Sequence, residues 1–188
     1  MTKFIGIDGH GGSGKSTFAA KLSQRISAEI IHVDDFTGLI DYPGGTDRLI
    51  ELVIRPVLRG EKTLSYEPAK WGPTHAPTSV KGQPVTEIMI IEGVDSLSPA
   101  LRQYISFSVF VDTPISTCFE RGTERDKNNY DSIENVRKLW DIWLKKEQVL
   151  FDSQKTAEYA DIVVDGTKPF DESVESIAAM TISHLRKV

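Results

Sequence analysis

The apolar residues of the chain form two patterns, continuous runs and runs with helical spacing, and the two alternate from one end to the other. Five continuous runs predict strands: Lys3 to Asp8, Glu29 to Val33, Val85 to Ile91, Ile105 to Val111 and Ala160 to Asp165. Between them, apolar residues at every third or fourth position predict helices. Strands that alternate with helices need crossover connections, which predicts an α/β fold with a mostly parallel central sheet between helices on both faces.

Three stretches depart from this simple alternation. Helical spacing over roughly Thr46 to Arg59 is interrupted by Pro56, which is expected to introduce a kink or a boundary. Periodicity fades from Glu61 to Pro84, where prolines and glycines gather, and we predict a short hairpin or lid-like insertion at the substrate side of the fold. A long amphipathic helix is predicted from Asp131 onward, with Asp131 and Glu134 spaced as a capping pair.

The first predicted strand leads into Gly9-His10-Gly11-Gly12-Ser13-Gly14-Lys15-Ser16, a complete G-x-x-x-x-G-K-S phosphate loop. Its glycines permit a tight turn with inward N–H groups, and the helix that follows adds a positive dipole. Lys15 would supply a cation to the β- and γ-phosphates, and the Ser16 hydroxyl would ligate Mg²⁺. We therefore predict ATP and Mg²⁺ as cofactors. The expected nucleotide-binding residues are Gly9, Gly11, Gly12, Ser13, Gly14, Lys15, Ser16 and Thr17.

The length and composition of the chain favour a single domain. With 188 residues, of which 39% are hydrophobic and 26% charged, the chain can bury one sizeable core. We expect a single domain over residues 1–188, with an insertion at about 61–84. The polar, turn-prone sequence Asp126-Lys127-Asn128-Asn129 predicts a mobile loop after the helix of residues 115–125.

Charge, cysteine content and the length of the apolar runs limit the partners and the compartment. A formal charge of −5 offers no general attraction to nucleic acid or to anionic membranes, so neither is expected as a partner. No apolar run approaches the length of a membrane span, and the single cysteine, Cys118, suits a reducing cytosol. We expect a cytoplasmic protein with a small-molecule substrate. A homodimer formed through the long helix is an alternative that the sequence leaves open.

Carboxylates stand where the predicted strands end, and ligands of parallel sheets bind beyond those ends. Glu92 follows the third strand, where a carboxylate that helps to hold Mg²⁺ belongs; a turn or capping role is the alternative. Asp34 and Asp35 close the second strand, and in extended backbone their side chains would point to opposite faces. One of them is expected to accept the proton of an attacking hydroxyl. The alternative is that one or both, Asp34 included, hold the metal.

Several blocks occur in an order that resembles a known family. They are Gly9 to Ser16, Val33-Asp34-Asp35-Phe36, Asp41-Tyr42-Pro43, Ile91-Glu92-Gly93-Val94, Val109 to Thr113, Arg121 to Asp126 and Tyr159 to Val164. Together they resemble the uridine kinase and phosphoribulokinase branch of the phosphate-loop kinases, and most of all its small bacterial uridine kinase-like members. The resemblance covers nearly the whole chain. It implies the three-layer α/β/α fold of the phosphate-loop NTPases and a lid at about residues 121–131.

The resemblance also implies roles for individual residues. Asp34 would lie against the 5′-hydroxyl of the substrate as the base, and Glu92 would help to hold Mg²⁺. Arg121 and Arg125 match arginines of the lid region that neutralise the transferring phosphate. Four positions apart on a helix, they would share a face, although a solvated surface is the alternative. Asp41 resembles the carboxylate that binds ribose hydroxyls, with the start of a turn as the alternative.

The acceptor side departs from the family pattern. The segment from Tyr66 to Trp71 offers no clear match to the aromatic and histidine set that recognises a pyrimidine. Tyr66 and His75 are the candidates for substrate contact, although a lone loop histidine is more often a surface group. The lid sequence is also short after Arg125, where nucleoside kinases usually carry further arginines.

Taken together, the residues and the resemblance predict a phosphotransferase that acts on a hydroxyl of a small metabolite. Uridine or cytidine is the favoured acceptor, through its 5′-hydroxyl. A kinase for a sugar, a pantothenate-like acid or a sugar phosphate is the first alternative. A nucleotide-dependent switch or ATPase module is the second, and the missing Asn-Lys-x-Asp guanine-reading block counts against a GTP switch.

Overall fold

The computed structural model describes residues 2–38, 42–70 and 78–185, and within them one parallel sheet forms the centre of the protein. Its strands and those of a separate hairpin are β1 (Lys3–Asp8), β2 (Glu29–His32), β3 (Thr63–Tyr66), β4 (Val80–Pro84), β5 (Ile88–Glu92), β6 (Ile105–Asp112) and β7 (Ile162–Asp165). The sheet has the order β2-β5-β1-β6-β7, and all neighbours are parallel. The predicted parallel sheet is confirmed, with β5 and β7 shorter at their starts than the apolar runs suggested.

The helices are α1 (Lys15–Ile26), α2 (Thr46–Leu49), α3 (Arg55–Leu58), α4 (Pro99–Arg102), α5 (Ile115–Asp126), α6 (Ile133–Gln154), α7 (Thr156–Tyr159) and α8 (Asp171–Leu185). No helix in these described ranges has both the length and the apolar character needed to cross a membrane.

Alternate strand residues face two separate cores, because successive side chains of a strand point to opposite sides of a sheet. On one side, Ile5, Ile7 and Ile90 pack with apolar residues of α1 and α8. On the other side, Phe4 and Met89 pack with residues of α2, α3 and α4. Helices therefore cover both faces, and the predicted three-layer α/β/α fold is confirmed.

The register of the sheet brings three strand ends to one level. Ile7 of β1 and His32 of β2 both align with Glu92 of β5. The phosphate loop follows β1, the Asp34-Asp35 pair follows β2, and Glu92 closes β5, so all three features emerge at the same edge of the sheet.

The insertion contains an antiparallel hairpin that is fastened to the edge of the sheet. β3 pairs with β4, and Leu64 is buried beneath it. The Gln83 side-chain amide donates to the backbone oxygen of Ile30 at 2.8 Å, so the hairpin covers the edge strand β2. Residues 71–77, between the two hairpin strands, lie outside the described residues.

The helical stretch around Pro56 is continuous but irregular. α2 and α3 are joined by a wide π-helical turn over Ile50–Ile54, in which the N–H of Arg55 donates to the carbonyl oxygen of Ile50. Pro56 has no N–H for the regular ladder, and its ring would clash with the carbonyl of the preceding turn. A widened turn before the proline relieves that clash, which explains the predicted interruption.

The amino end of α6 differs from the predicted capping pair. The cap is Ser132, whose hydroxyl oxygen accepts from the N–H of Asn135 at 3.2 Å, and the helix begins at Ile133. The prediction of Asp131 as the cap was wrong by one position, because a serine and an aspartate stand side by side and both are good caps.

Candidate active site

The phosphate loop joins β1 to α1, and its glycines are required by close packing. Gly12 has φ +78°, and a Cβ on it would lie 2.3 Å from the carbonyl oxygen of Cys118. A Cβ on Gly9 would lie 2.5 Å from the carbonyl oxygen of Val111. Side chains do not tolerate such contacts, so only glycine fits at positions 9 and 12. Helix α1 then begins at Lys15 and places the positive end of its dipole at the loop.

Lys15 is folded against the loop and lies near Asp34 and Glu92, and we call the space among these three side chains the cleft. Its side chain is buried, and Nζ donates to the carbonyl oxygen of His10 at 3.3 Å. Burial raises the pKa of Asp34, and the positive charge of Lys15 opposes this rise. The ammonium group therefore lies within electrostatic reach of Asp34.

Glu92 is held at both of its carboxylate oxygens. Ser16 Oγ donates to Oε1 at 2.8 Å, and Nδ1 of His32 donates to Oε2 at 2.8 Å. Burial alone would raise the pKa of Glu92, but the hydrogen bond from His32 and the charge of Lys15 outweigh it and lower the pKa. The same hydrogen bond raises the pKa of His32. Glu92 is thus an oriented, ionised carboxylate next to a serine hydroxyl.

The donor atoms of Ser16 and Glu92 fit Mg²⁺. A hydroxyl oxygen and an ionised carboxylate are hard donors, and Mg²⁺ in kinases typically takes the rest of its ligands from phosphate and water. His32, which the sequence did not single out, fixes the orientation of Glu92 from outside this donor pair. Strand register was the signal that could have found it, since His32 aligns with Glu92 across β2 and β5.

Asp34 and Asp35 follow β2 on a turn of 3₁₀-helix, Val33–Asp35, rather than on the extended backbone that we predicted. With three residues per turn, their side chains still diverge. Asp35 Oδ2 accepts from the Tyr66 hydroxyl at 3.1 Å, and its carbonyl oxygen accepts from the N–H of Ala69. Asp35 therefore faces the hairpin. Asp34 lies in the cleft, where solvent reaches it although protein surrounds it on most sides, and this desolvation raises its pKa.

Arg121 and Arg125 have different partners. Arg121 Nη1 donates to the carbonyl oxygens of Gly166 at 3.0 Å and Ser13 at 3.4 Å, so it braces the phosphate loop. Arg125 pairs with Asp126 and lies over the Trp140 ring at 5.3 Å. The charge of Arg125 also lowers the pKa of Asp34, so its guanidinium group lies within electrostatic reach of the cleft. The backbone engages Arg121 and Asp126 engages Arg125, and their joint grip on a phosphate stays a prediction.

Besides Asp34, the predicted acceptor-side residues are Asp41, Tyr66 and His75, and of these three only Tyr66 is described. It is 7% exposed, its hydroxyl is bonded to Asp35, and its ring packs on Phe36 with centroids 4.8 Å apart. The structure therefore corrects the expectation for Tyr66, which is buried beneath the Asp35 turn rather than open to a substrate. Asp41 and His75 lie outside the described residues.

Asp8 lies at the end of β1, and its buried carboxylate accepts hydrogen bonds from the backbone instead of facing a ligand site. Its Oδ1 accepts from the N–H groups of Gly9 at 2.8 Å and Asp95 at 3.2 Å, and Oδ2 accepts from Leu97 at 2.9 Å. Complete burial outweighs these hydrogen bonds and raises the pKa of Asp8 to about 7. Asp8 thereby ties the start of the phosphate loop to the segment that follows β5.

The chain is similar in sequence to curated kinases. No family model matches the chain. The uridine kinase of Salmonella newport (strain SL254) is 27% identical over 185 residues, and that of Klebsiella pneumoniae subsp. pneumoniae is 25% identical over 185 residues; each alignment covers 85% of both chains. The resemblance to uridine kinases that the motifs predicted is therefore confirmed.

Solved structures show the same architecture. A possible uridine kinase from Bacillus stearothermophilus superposes with a TM-score of 0.62 at 20% identity, covering 87% of this chain and 89% of that one. Shikimate kinase from Acinetobacter baumannii superposes with a TM-score of 0.54 at 15% identity, covering 97% and 94%. The chain is a phosphotransferase with the fold of the phosphate-loop kinases.

Proposed function

We propose that this phosphotransferase is an ATP- and Mg²⁺-dependent kinase and that its acceptor is the 5′-hydroxyl of uridine or cytidine. The observation that carries the proposal is the meeting of three groups at one edge of the sheet: Lys15 of a complete phosphate loop, the Ser16–Glu92 pair and the Asp34 carboxylate. The activity for which the curated relatives are named supports uridine as the acceptor.

The roles follow from the positions of the side chains. Phosphoryl transfer depends on positioning and charge neutralisation more than on covalent chemistry. Loop N–H groups and Lys15 would bind the triphosphate, and Asp34 would orient the acceptor hydroxyl and take its proton. Arg125 would neutralise charge on the transferring group, since it already lies in the field of Asp34. Arg121 would support the reaction indirectly, by bracing the loop at Ser13.

Mg²⁺, when bound, would supply positive charge that offsets the negative charge of the phosphate oxygens. We assign Mg²⁺ to Ser16 Oγ and Glu92 Oε1, which lie 2.8 Å apart. Asp34 then remains available to take the proton of the acceptor hydroxyl. His32 would keep the Glu92 carboxylate turned toward Ser16.

Glu92→Gln is expected to raise the Mg²⁺ concentration for half-maximal activity by about 10- to 100-fold, as losses of metal-orienting carboxylates do. The amide keeps an oxygen acceptor but loses the charge that attracts the ion. The measurement is ADP release against Mg²⁺ concentration. Glu87→Gln makes the same change of charge at the exposed opposite end of β5, and we expect no shift from it. An unchanged Mg²⁺ dependence in the Glu92 variant would remove Glu92 from the metal site.

Acceptor recognition is proposed at the mouth of the cleft beside Asp34. Asp41 and His75 stay our candidates for the ribose hydroxyls and the base. Tyr66 is assigned a supporting role instead, because its hydroxyl holds Asp35 and its ring is buried against Phe36.

The test of the function is ADP release by the purified protein with ATP and Mg²⁺ across uridine, cytidine, other nucleosides, sugars, pantothenate, shikimate and sugar phosphates. We expect uridine or cytidine to stimulate turnover well above the slow hydrolysis of ATP alone. Stimulation by another compound would replace the acceptor and keep the kinase. Tight nucleotide binding with no stimulation by any acceptor would favour a nucleotide-dependent switch or ATPase module.

A further inference from the structure

A buried carboxylate from the long helix α6 reaches the phosphate loop. Glu147 is 1% exposed, and its Oε2 accepts from the backbone N–H of Gly11 at 2.9 Å. Oε2 also lies 3.0 Å from Nδ1 of His10, so the imidazole N–H is placed to donate to it. Two consecutive residues of the loop are therefore held by one side chain that is 136 positions away in sequence from Gly11.

The other oxygen of the same carboxylate holds Tyr42, which lies within electrostatic reach of Asp34. The Tyr42 hydroxyl donates to Glu147 Oε1. Burial first, and then the charge of Glu147, raise the pKa of Tyr42 well above its usual value, so its hydroxyl stays protonated and remains a donor. α6 adds two further contacts, because Lys146 donates to the Tyr42 carbonyl oxygen at 3.3 Å and Trp143 meets the Tyr42 ring edge-on at 6.0 Å.

The packing between α6 and the loop is too close for a side chain on the loop. A Cβ on Gly11 would lie 2.9 Å from the ring of Trp140 and 3.2 Å from Glu147 Oε1. Trp140 is itself fixed, since its indole N–H donates to Asp126 at 3.1 Å. The loop therefore meets a rigid surface of α6 at Gly11, and Glu147 supplies the polar contact of that surface.

The contacts continue from Glu147 to Lys15. His10 holds Glu147 through its ring and accepts from Lys15 Nζ through its carbonyl oxygen. We propose that Glu147 is a positioning residue that locks the phosphate loop and the Tyr42 segment into one hydrogen-bonded unit, so that the nucleotide and the acceptor are held in fixed relation. The proposal rests on the proposed kinase function and adds a coupling between its two substrate sites.

The first test is the affinity for a fluorescent ADP analogue with Mg²⁺. In Glu147→Ala the N–H of Gly11, the His10 ring and the Tyr42 hydroxyl lose their acceptor, and we expect Kd to rise by about tenfold or more. In Glu147→Gln the carbonyl oxygen can replace Oε2 and the amide N–H can donate to the Tyr42 hydroxyl oxygen, so we expect Kd within about threefold of wild type.

A matched control separates positioning from loss of stability. Val136→Ala removes buried apolar atoms from the same helix, at a residue for which the structure gives no contact with the loop. All variants are measured at a temperature at which circular dichroism shows each to be folded. We expect Val136→Ala to lower the melting temperature but to leave Kd unchanged.

The second test addresses the acceptor side. Tyr42→Phe keeps the ring and removes only the hydroxyl, so we expect the nucleotide Kd to stay within about twofold while KM rises about tenfold for whichever panel compound best stimulates the wild type. A folded Glu147→Ala protein with wild-type nucleotide affinity would overturn the proposal. If the wild type binds the analogue but phosphorylates nothing, the transfer function falls while the Kd comparison still decides the role of Glu147. A wild type that binds no nucleotide would overturn both.

Discussion

Replacement of Asp34 by asparagine is expected to lower kcat by about 10³-fold, within the range that a positioned general base contributes. The asparagine side chain would keep the shape and the polarity of the aspartate but could not accept the proton of the acceptor hydroxyl. Because the phosphate loop and Lys15 are untouched, we expect the Kd for the ADP analogue to change by no more than about threefold. Rate is measured as acceptor-dependent ADP release under saturating ATP and Mg²⁺.

The neighbouring carboxylate offers the control for this prediction. Asp35→Asn makes the same chemical change one residue away and keeps an oxygen that can accept from the Tyr66 hydroxyl. We expect its kcat to stay within about threefold of wild type, because Asp35 faces the hairpin rather than the cleft. If Asp35→Asn abolished turnover while Asp34→Asn did not, the assignment of the base would be reversed. If Asp34→Asn instead shifted the Mg²⁺ requirement, Asp34 would be a metal ligand.

The fold could be predicted largely because its signals are local. Five apolar runs and the helical periods between them were sufficient for a parallel α/β sheet, since each strand of such a sheet is buried on both faces. Local signals failed where two neighbouring residues can do the same job. Ser132 rather than Asp131 caps α6. Val33 lies on a 3₁₀ turn instead of in β2, because the conformation of the backbone beyond a strand end depends on what packs against it.

The residues of the site could be predicted where the path of the backbone itself fixes their positions. The phosphate loop is contiguous, and Glu92 could be placed near Ser16 because parallel strands end at one edge; the structure puts their oxygens in hydrogen-bond contact across 76 positions. Side chains that arrive from distant helices were not foreseen. Glu147 had one overlooked signal, since it falls within the apolar stripe of α6 formed by Trp140, Leu144 and Phe151. A charged residue in such a stripe needs buried partners.

Asp8→Ala is expected to have the largest effect on stability. The substitution leaves the N–H groups of Gly9, Asp95 and Leu97 without their acceptor in the interior. At about 1–3 kcal/mol for each of the three unsatisfied donors, we expect a loss of about 3–9 kcal/mol, a large part of the stability of a typical domain. Denaturant unfolding at about pH 6 measures the loss, which corresponds to a fall in Tm of roughly 10 °C or more. A loss below about 1 kcal/mol would contradict the buried arrangement, since even one such donor is worth that much.

Asp8→Asn tests the ionisation of the same side chain. Because burial raises the pKa of Asp8 to about 7, from its ordinary value of 3.8, the folded protein keeps a proton that the unfolded chain releases across that window. Its contribution to stability is therefore fully present below the unfolded pKa and is lost as pH rises through the folded pKa. Asparagine resembles the neutral acid and does not titrate. We expect the unfolding free energy of wild type, minus that of the variant, to fall between about pH 4 and pH 7 by up to about 1.4 kcal/mol per pH unit, and to level off above that. A difference that stayed flat or rose would mean that the three backbone hydrogen bonds, and not burial, set the pKa of Asp8.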